Sequence, residues 1–373
     1  MKQTMKIRSL TAVVGLGFAS CSSVFAQESS LVIYGIVDAG VRHVKSSEGP
    51  SSTVFANGGQ SATRLGFRGY ENIGNGLGAG FNIEQGFNTG TGATASSTNF
   101  WDRRATVSLL GQNWGELRLG RDYVPTFTSY MLADPFIYLN IAGTSNLVAS
   151  TTIGPIRAAF GTTPPGTAPN VNTTVRMNGA VQYFLPGNLG GLEGSLLWAP
   201  NGDQKGFGGG LGYTVGPFTV KGAITMTRTN YNNGAAGPTV SDWFRDAVLS
   251  ASYNFSPFKV MAAVREFRAY GLRQRNLVLS GTWNVGTGQF RIMAQHASRS
   301  GFLNGVDSSG DGGNQFSVGY VYNLSKRTSL FVQGSRINNS GKSRFMLQPG
   351  NVPAPLKDGA HLTGVESGIH IVF

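Results

Sequence analysis

Residues 361–373 read HLTGVESGIHIVF, and their apolar side chains fall on every second position. Val365, Ile369, Ile371 and Phe373 share one face; Glu366, Gly368 and His370 share the other, with Val372 the exception. In a β-strand successive side chains point to opposite faces, so such a segment can set hydrocarbon on one side and water on the other. The chain ends on an aromatic residue, at the tip of the apolar face.

The opposite terminus carries an export pattern. Lys2, Lys6 and Arg8 precede a short apolar run, Leu10 to Ala19, and Val24-Phe25-Ala26 supplies a small-residue cleavage site. This order predicts a signal peptide over residues 1–26, and the apolar run is too short to span a bilayer. Phe18-Ala19-Ser20-Cys21 offers a competing lipoprotein reading, although Phe is a poor match at its first position. Cleavage after Ala26 removes Cys21, the only cysteine, and with it any disulfide or thiol chemistry. The exported chain keeps 27 basic residues against 18 acidic ones, a net charge of +9. These cations are spread along alternating segments rather than gathered in runs, which argues for a lumen or loop lining and against nucleic acid as a partner.

Beyond residue 26 no stretch approaches the roughly 18 apolar residues of a membrane helix. A membrane chain without one must close a β-barrel, because every backbone group has to be paired within lipid. Sixteen alternating segments follow one another, starting near Leu31, Ala62, Leu77, Trp101, Glu116, Met177, Leu192, Phe207, Phe218, Asp242, Lys259, Asn276, Gln289, Asn314, Thr328 and His361. Short connections such as Gly74-Asn75-Gly76 and Gly286-Thr287-Gly288 alternate with long ones, including 46–61, 90–99, 125–175, 302–313 and 341–360. The expected fold is all-β: a 16-stranded antiparallel transmembrane β-barrel with turns on one rim and loops on the other. The segment 125–175 exceeds the ordinary length of a structureless loop. It is rich in apolar residues, among them Phe127, Tyr130, Phe136 and Tyr138, and is expected to pack on the inside of the wall; Thr163-Pro164-Pro165 reads as an exposed tail.

Parity then assigns the bore. If the aliphatic face meets lipid, the first strand turns Tyr34, Asp38 and Arg42 inward, the second Arg64 and Arg68, the third Asn82 and Glu84, the fourth Arg104 and the fifth Arg118. Arg121 has lipid-side parity and is placed at the rim. Adjacent strands would join these arginines into one basic wall, whose permanent charge favours anions. Pairing with Glu84, Asp38 or backbone is the competing role for each of them.

Over nearly all of the exported chain the sequence resembles the Gram-negative general porins of the neisserial and burkholderial type. The resemblance rests on Ser30-Leu31-Val32-Ile33-Tyr34-Gly35-Ile36-Val37-Asp38-Ala39-Gly40, on Arg64-Leu65-Gly66-Phe67-Arg68-Gly69-Tyr70-Glu71 with Gly76-Leu77, on Leu119-Gly120-Arg121, and on Tyr322-Asn323-Leu324-Ser325-Lys326-Arg327-Thr328. It implies a homotrimer in outer-membrane lipid that passes small hydrophilic solutes and ions, with a third external loop, here 125–175, folded into the pore. Two departures stand out. The last strand ends Ile369-His370-Ile371-Val372-Phe373 without the family's usual arginine, and the third loop offers few acids, with Asp134 the main candidate for the constriction.

Signals for other chemistry fail. The four histidines lack metal spacing, no Gly-x-Ser-x-Gly elbow occurs, and Arg336 stands where a phosphate loop before Gly341-Lys342-Ser343 needs glycine. Val318 stands where a calcium loop from Asp307 needs glutamate. No cofactor, metal or catalytic residue is expected. The alternatives to a passive channel are a barrel with a dedicated sugar or anion site, a barrel enzyme using His43 or His361, and a secreted soluble β-protein.

Overall fold

Period-two alternation broken by glycine and asparagine turns governs the whole chain. The computed structural model describes residues 30–148, 154–161, 172–200, 205–232, 239–303, 305–347 and 357–373; the expected leader 1–26 and Thr163-Pro164-Pro165 lie outside them. In chain order the strands are β1 (Ser30–Ser46), β2 (Ser51–Asn57), β3 (Arg64–Gly74), β4 (Leu77–Gly86), β5 (Arg104–Gly111), β6 (Gly115–Tyr123), β7 (Arg176–Phe184), β8 (Leu192–Ala199), β9 (Gly206–Val215) and β10 (Phe218–Asn232). They continue as β11 (Thr239–Phe255), β12 (Phe258–Ala269), β13 (Leu272–Val285), β14 (Gly288–Ser300), a small hairpin of β15 (Phe302–Leu303) and β16 (Val306–Asp307), β17 (Gly312–Asn323), β18 (Thr328–Ser340) and β19 (His361–Val372). Two short helices, α1 (Pro125–Tyr130) and α2 (Pro155–Phe160), lie between β6 and β7.

Every wall strand pairs antiparallel with its neighbours, and β19 returns to β1, from Ile36 opposite Val372 to Ser46 opposite Leu362. The sheet is therefore closed and has no edge. β2 and β3 occupy one place in it: β2 pairs with residues 39–45 of β1, and β3 with residues 30–36. Counted this way the barrel has sixteen staves among the described residues, as expected. The segment expected as a loop over 46–61 is corrected, because Ser51–Asn57 is strand. Its alternation is short and flanked by serine and glycine, so the signal is weak.

At the seam Phe373 exchanges two backbone hydrogen bonds with Gly35, N–H to O at 3.1 and 3.0 Å. Its ring lies over that glycine, where an added Cβ would stand 2.3 Å from Phe373 Cζ. The turn at Asn75-Gly76 has φ of 52° and 75°, a conformation open to asparagine and glycine.

The outer face is apolar. Leu31, Leu249, Leu279, Phe316 and Val365 are exposed there, while Glu366 and His370 on the opposite parity of β19 are buried. Around the turn rim the rings of Tyr253, Phe255, Phe258, Trp283, Phe290 and Tyr320 follow one another at 4.5–6.2 Å between centroids. Such a girdle is what a membrane–water interface selects. The buried apolar clusters sit where the β6–β7 segment meets the wall, joining Phe127, Phe160, Phe244 and Phe267 in one and Tyr130, Phe136, Met261 and Met293 in another.

Candidate functional site: the basic wall and the facing segment

The β6–β7 segment lies against the polar face of the wall, held by side chains that the strands present at every second residue. Proline at the first turn of α1 starts the helix where a backbone N–H has no partner anyway. Thr126 donates to Asp246 at 2.8 Å, Ser250 to the Ser129 carbonyl at 2.7 Å, and Ser280 to the Ala133 carbonyl at 2.7 Å. Gln274 and Asn276 both donate to the Leu147 carbonyl at 2.8 Å. The wall thus satisfies backbone groups that a buried irregular segment would leave unpaired. Asp246 also holds Arg265 in a fully buried pair at 2.6 Å, with Arg265 over the ring of Tyr130. Removing one member of such a pair costs roughly 3–5 kcal/mol.

Asp134 is buried at the centre of this segment, and its placement corrects the expectation of an acid lining the bore. Its carboxylate accepts from the amides of Phe136, Tyr138 and Thr144 at 2.8, 3.1 and 2.8 Å, and from the Thr144 hydroxyl at 2.6 Å. Those bonds hold Ile137 and Tyr138 at φ of 59° and 71°, a strained region for bulky residues. Burial pushes the Asp134 carboxyl above its usual range, and the four donors act against that push. The exposed side of the segment is apolar, with Leu139 at 42% exposure and Met131, Leu132 and Ile137 partly exposed.

One cluster of arginines occupies β3–β7, while Arg265, Arg291 and Arg299 take the inward parity of β12 and β14. Arg64 and Arg103 share Glu84 at 3.4 and 2.6 Å. Arg104 pairs with Asp122 at 2.8 Å, and Arg118 bridges Glu116 at 2.7 Å and Asp122 at 2.5 Å. Arg176 and Arg103 both donate to the Tyr123 hydroxyl, at 2.8 and 3.2 Å. Arg68 stands over the Tyr34 ring at 5.6 Å, and Tyr34 donates to Asn82 at 2.9 Å. Six arginines against Glu84, Glu116 and Asp122 leave three surplus positive charges on this wall. Each acid orients arginines without cancelling the wall's sign, because guanidinium stays charged in every pairing.

The sequence reading assigned Arg64, Arg68, Glu84, Arg104 and Arg118 to this face, and the structure brings them together. It missed Arg103, Arg176, Glu116, Asp122 and Tyr123. Asp122 shares the parity of Arg118 on β6 and so turns to the arginine cluster; the ladder to β7 slips between Gly120 and Asp122, with the extra residue on β7. Arg121 is half-buried and donates to the Asp102 carbonyl at 2.7 Å.

Asp38 and Arg42 have inward parity but are corrected as lining residues. Residues 58–63 tuck over Asp38, whose carboxylate accepts the amides of Gly59, Gln60 and Ser61 at 2.8–2.9 Å and contacts His370 Nδ1 at 2.9 Å. Arg42 is paired with Glu366 at 3.2 Å, both fully covered.

The model of a family described as Gram-negative porin matches residues 9–342 of the chain. Outer membrane porin protein 32 of Delftia acidovorans is 32% identical over 97% of this chain and 99% of its own length. An outer membrane porin protein of Bordetella pertussis is 29% identical over 90% of this chain and 95% of its own length. Among solved structures, an anion-selective porin from Comamonas acidovorans superposes with a TM-score of 0.76 at 29% identity, covering 93% of this chain and all of that one.

Proposed function

The chain belongs to the Gram-negative porin family, and from that premise we propose that its bore favours anions through the arginines of β3–β7. It is an outer-membrane channel for small hydrophilic solutes and ions, and it works without a catalytic step. The observation that carries the selectivity is the charge imbalance: six arginines and three acids on one wall, and a facing segment whose only acid between residues 125 and 148, Asp134, is buried in its own turn. An anion entering this space meets a positive field on one side and a neutral apolar surface on the other. The solved neighbour described as an anion-selective porin supports the same sign.

The segment 125–175 serves in this reading as the constriction, set against the basic wall. Arg64, Arg68, Arg104 and Arg118, with Glu84, line the passage; Arg103 and Arg176 join them. Residues 1–26 act as the cleaved export signal. The protein assembles as a homotrimer through the apolar outer face of the first strands, which would give three times the protomer mass in detergent by light scattering. Flux into protein-loaded liposomes tests the selectivity. Gluconate should enter faster than N-methylglucamine, a cation of similar size; equal or inverted rates would remove the basic wall from the account.

A further inference from the structure

Four arginines crowd one patch on the outer face at the loop end, answered by one acid. On β11–β13, Arg245 stands directly opposite Arg268, and Arg268 directly opposite Arg273. One step toward the turn rim, Glu266 stands opposite Arg275. All five have the parity of the exposed residues Leu249 and Leu277, opposite to the buried Asp246, Arg265, Phe267 and Gln274. Glu266 touches Arg268 at 2.6 Å, Arg273 at 2.5 Å and Arg275 at 3.0 Å, and those arginine side chains remain 55%, 37% and 47% exposed. Arg245 has no ion-pair partner among the described residues.

Like charges directly across strands destabilise a sheet, so three in a row call for a counter-charge from outside the chain. Neighbouring strands lie about 4.8 Å apart, which spreads the row over roughly 10 Å. The patch also sits at a chemical boundary. The next rows toward the turn rim are Leu249, Val264 and Leu277, then Ala251, Ala262 and Leu279. Acyl chains over those rows would set their headgroups at the level of the arginines.

We propose that Arg245, Arg268 and Arg273 bind phosphate groups of an anionic outer-leaflet lipid, with Glu266 holding Arg268, Arg273 and Arg275 at fixed spacing. Guanidinium presents paired donors that match phosphate oxygens. The site rests on the outer-membrane location and is independent of the sign of the pore's selectivity.

Native mass spectrometry of the full-length barrel in detergent tests it, with diphosphorylated lipid A, its dephosphorylated form and inorganic phosphate as separate arms. Diphosphorylated lipid A should be retained, and the combined Arg245→Gln, Arg268→Gln and Arg273→Gln variant should hold it roughly a hundredfold more weakly. Arg336→Gln, whose cross-strand neighbours are Phe316 and Thr363, should leave binding unchanged. If the triple variant does not fold, Arg268→Gln alone carries the test with about a fivefold weakening. Equal retention by wild type and variant, or of the dephosphorylated lipid, overturns the proposal. So does inorganic phosphate displacing the lipid at equal concentration, which would mark a free-anion site, or a variant that loses only its oligomeric state, which would mark a contact between copies.

Discussion

Arg68 isolates the electrostatic argument at a single side chain. It is exposed on the basic wall, stacks over Tyr34 and has no ion pair among the described residues, so its charge can be reversed without breaking a buried network. Arg68→Glu should lower the chloride-to-potassium permeability ratio by roughly two- to fivefold, the Boltzmann weight of about 0.5–1 kcal/mol at watery dielectric. Zero-current potentials of variant and wild type check it; an unchanged ratio would place Arg68 outside the permeation path. Asp134 makes the opposite case, an acid whose work is internal. Asp134→Ala strands four donors, at about 1–3 kcal/mol for a buried unsatisfied group, and frees Ile137 and Tyr138 from positive φ. Single-channel records should show higher noise and larger, variable openings, whereas a conductance as quiet as the wild type's would mean that the wall contacts suffice. Individual roles were the least legible part of the sequence. Parity found five members of the basic cluster, but it cannot see a tucked segment over Asp38 or an arginine just before a strand such as Arg103.

Among elements, the seam between β1 and β19 decides whether the sheet closes. Phe373 completes the last pair of backbone bonds and lays its ring on Gly35. Gly35→Val puts a branched side chain into that ring and close to the Arg64 carbonyl, an overpacking cost of about 1–3 kcal/mol. The temperature at which the folded band is lost in semi-native electrophoresis should fall; no shift would mean that the ring simply swings into lipid. Strand positions were legible because period two persists through β4–β14 and β17–β19 with turn residues between. The strand at 51–57 was not, since seven residues beside glycine and serine carry too little pattern. The path of the β6–β7 segment was foreshadowed by its apolar content and by the family resemblance. Its anchors, among them Ser250 and Ser280, read in the sequence as ordinary polar-face residues.

For the whole molecule, apolar surface is sorted to two places: the outer wall, and the interface between the wall and the segment packed on it. Polar and charged residues fill the space between, with six arginines clustered on β3–β7. Closed pairing satisfies the backbone within lipid, and the β6–β7 segment packs on the polar face of the wall. The most direct test of this arrangement is the zero-current potential of the purified protein in a planar bilayer under a KCl gradient. The account predicts a dilute side that turns negative, as chloride crosses faster than potassium; a dilute side that turns positive would contradict it.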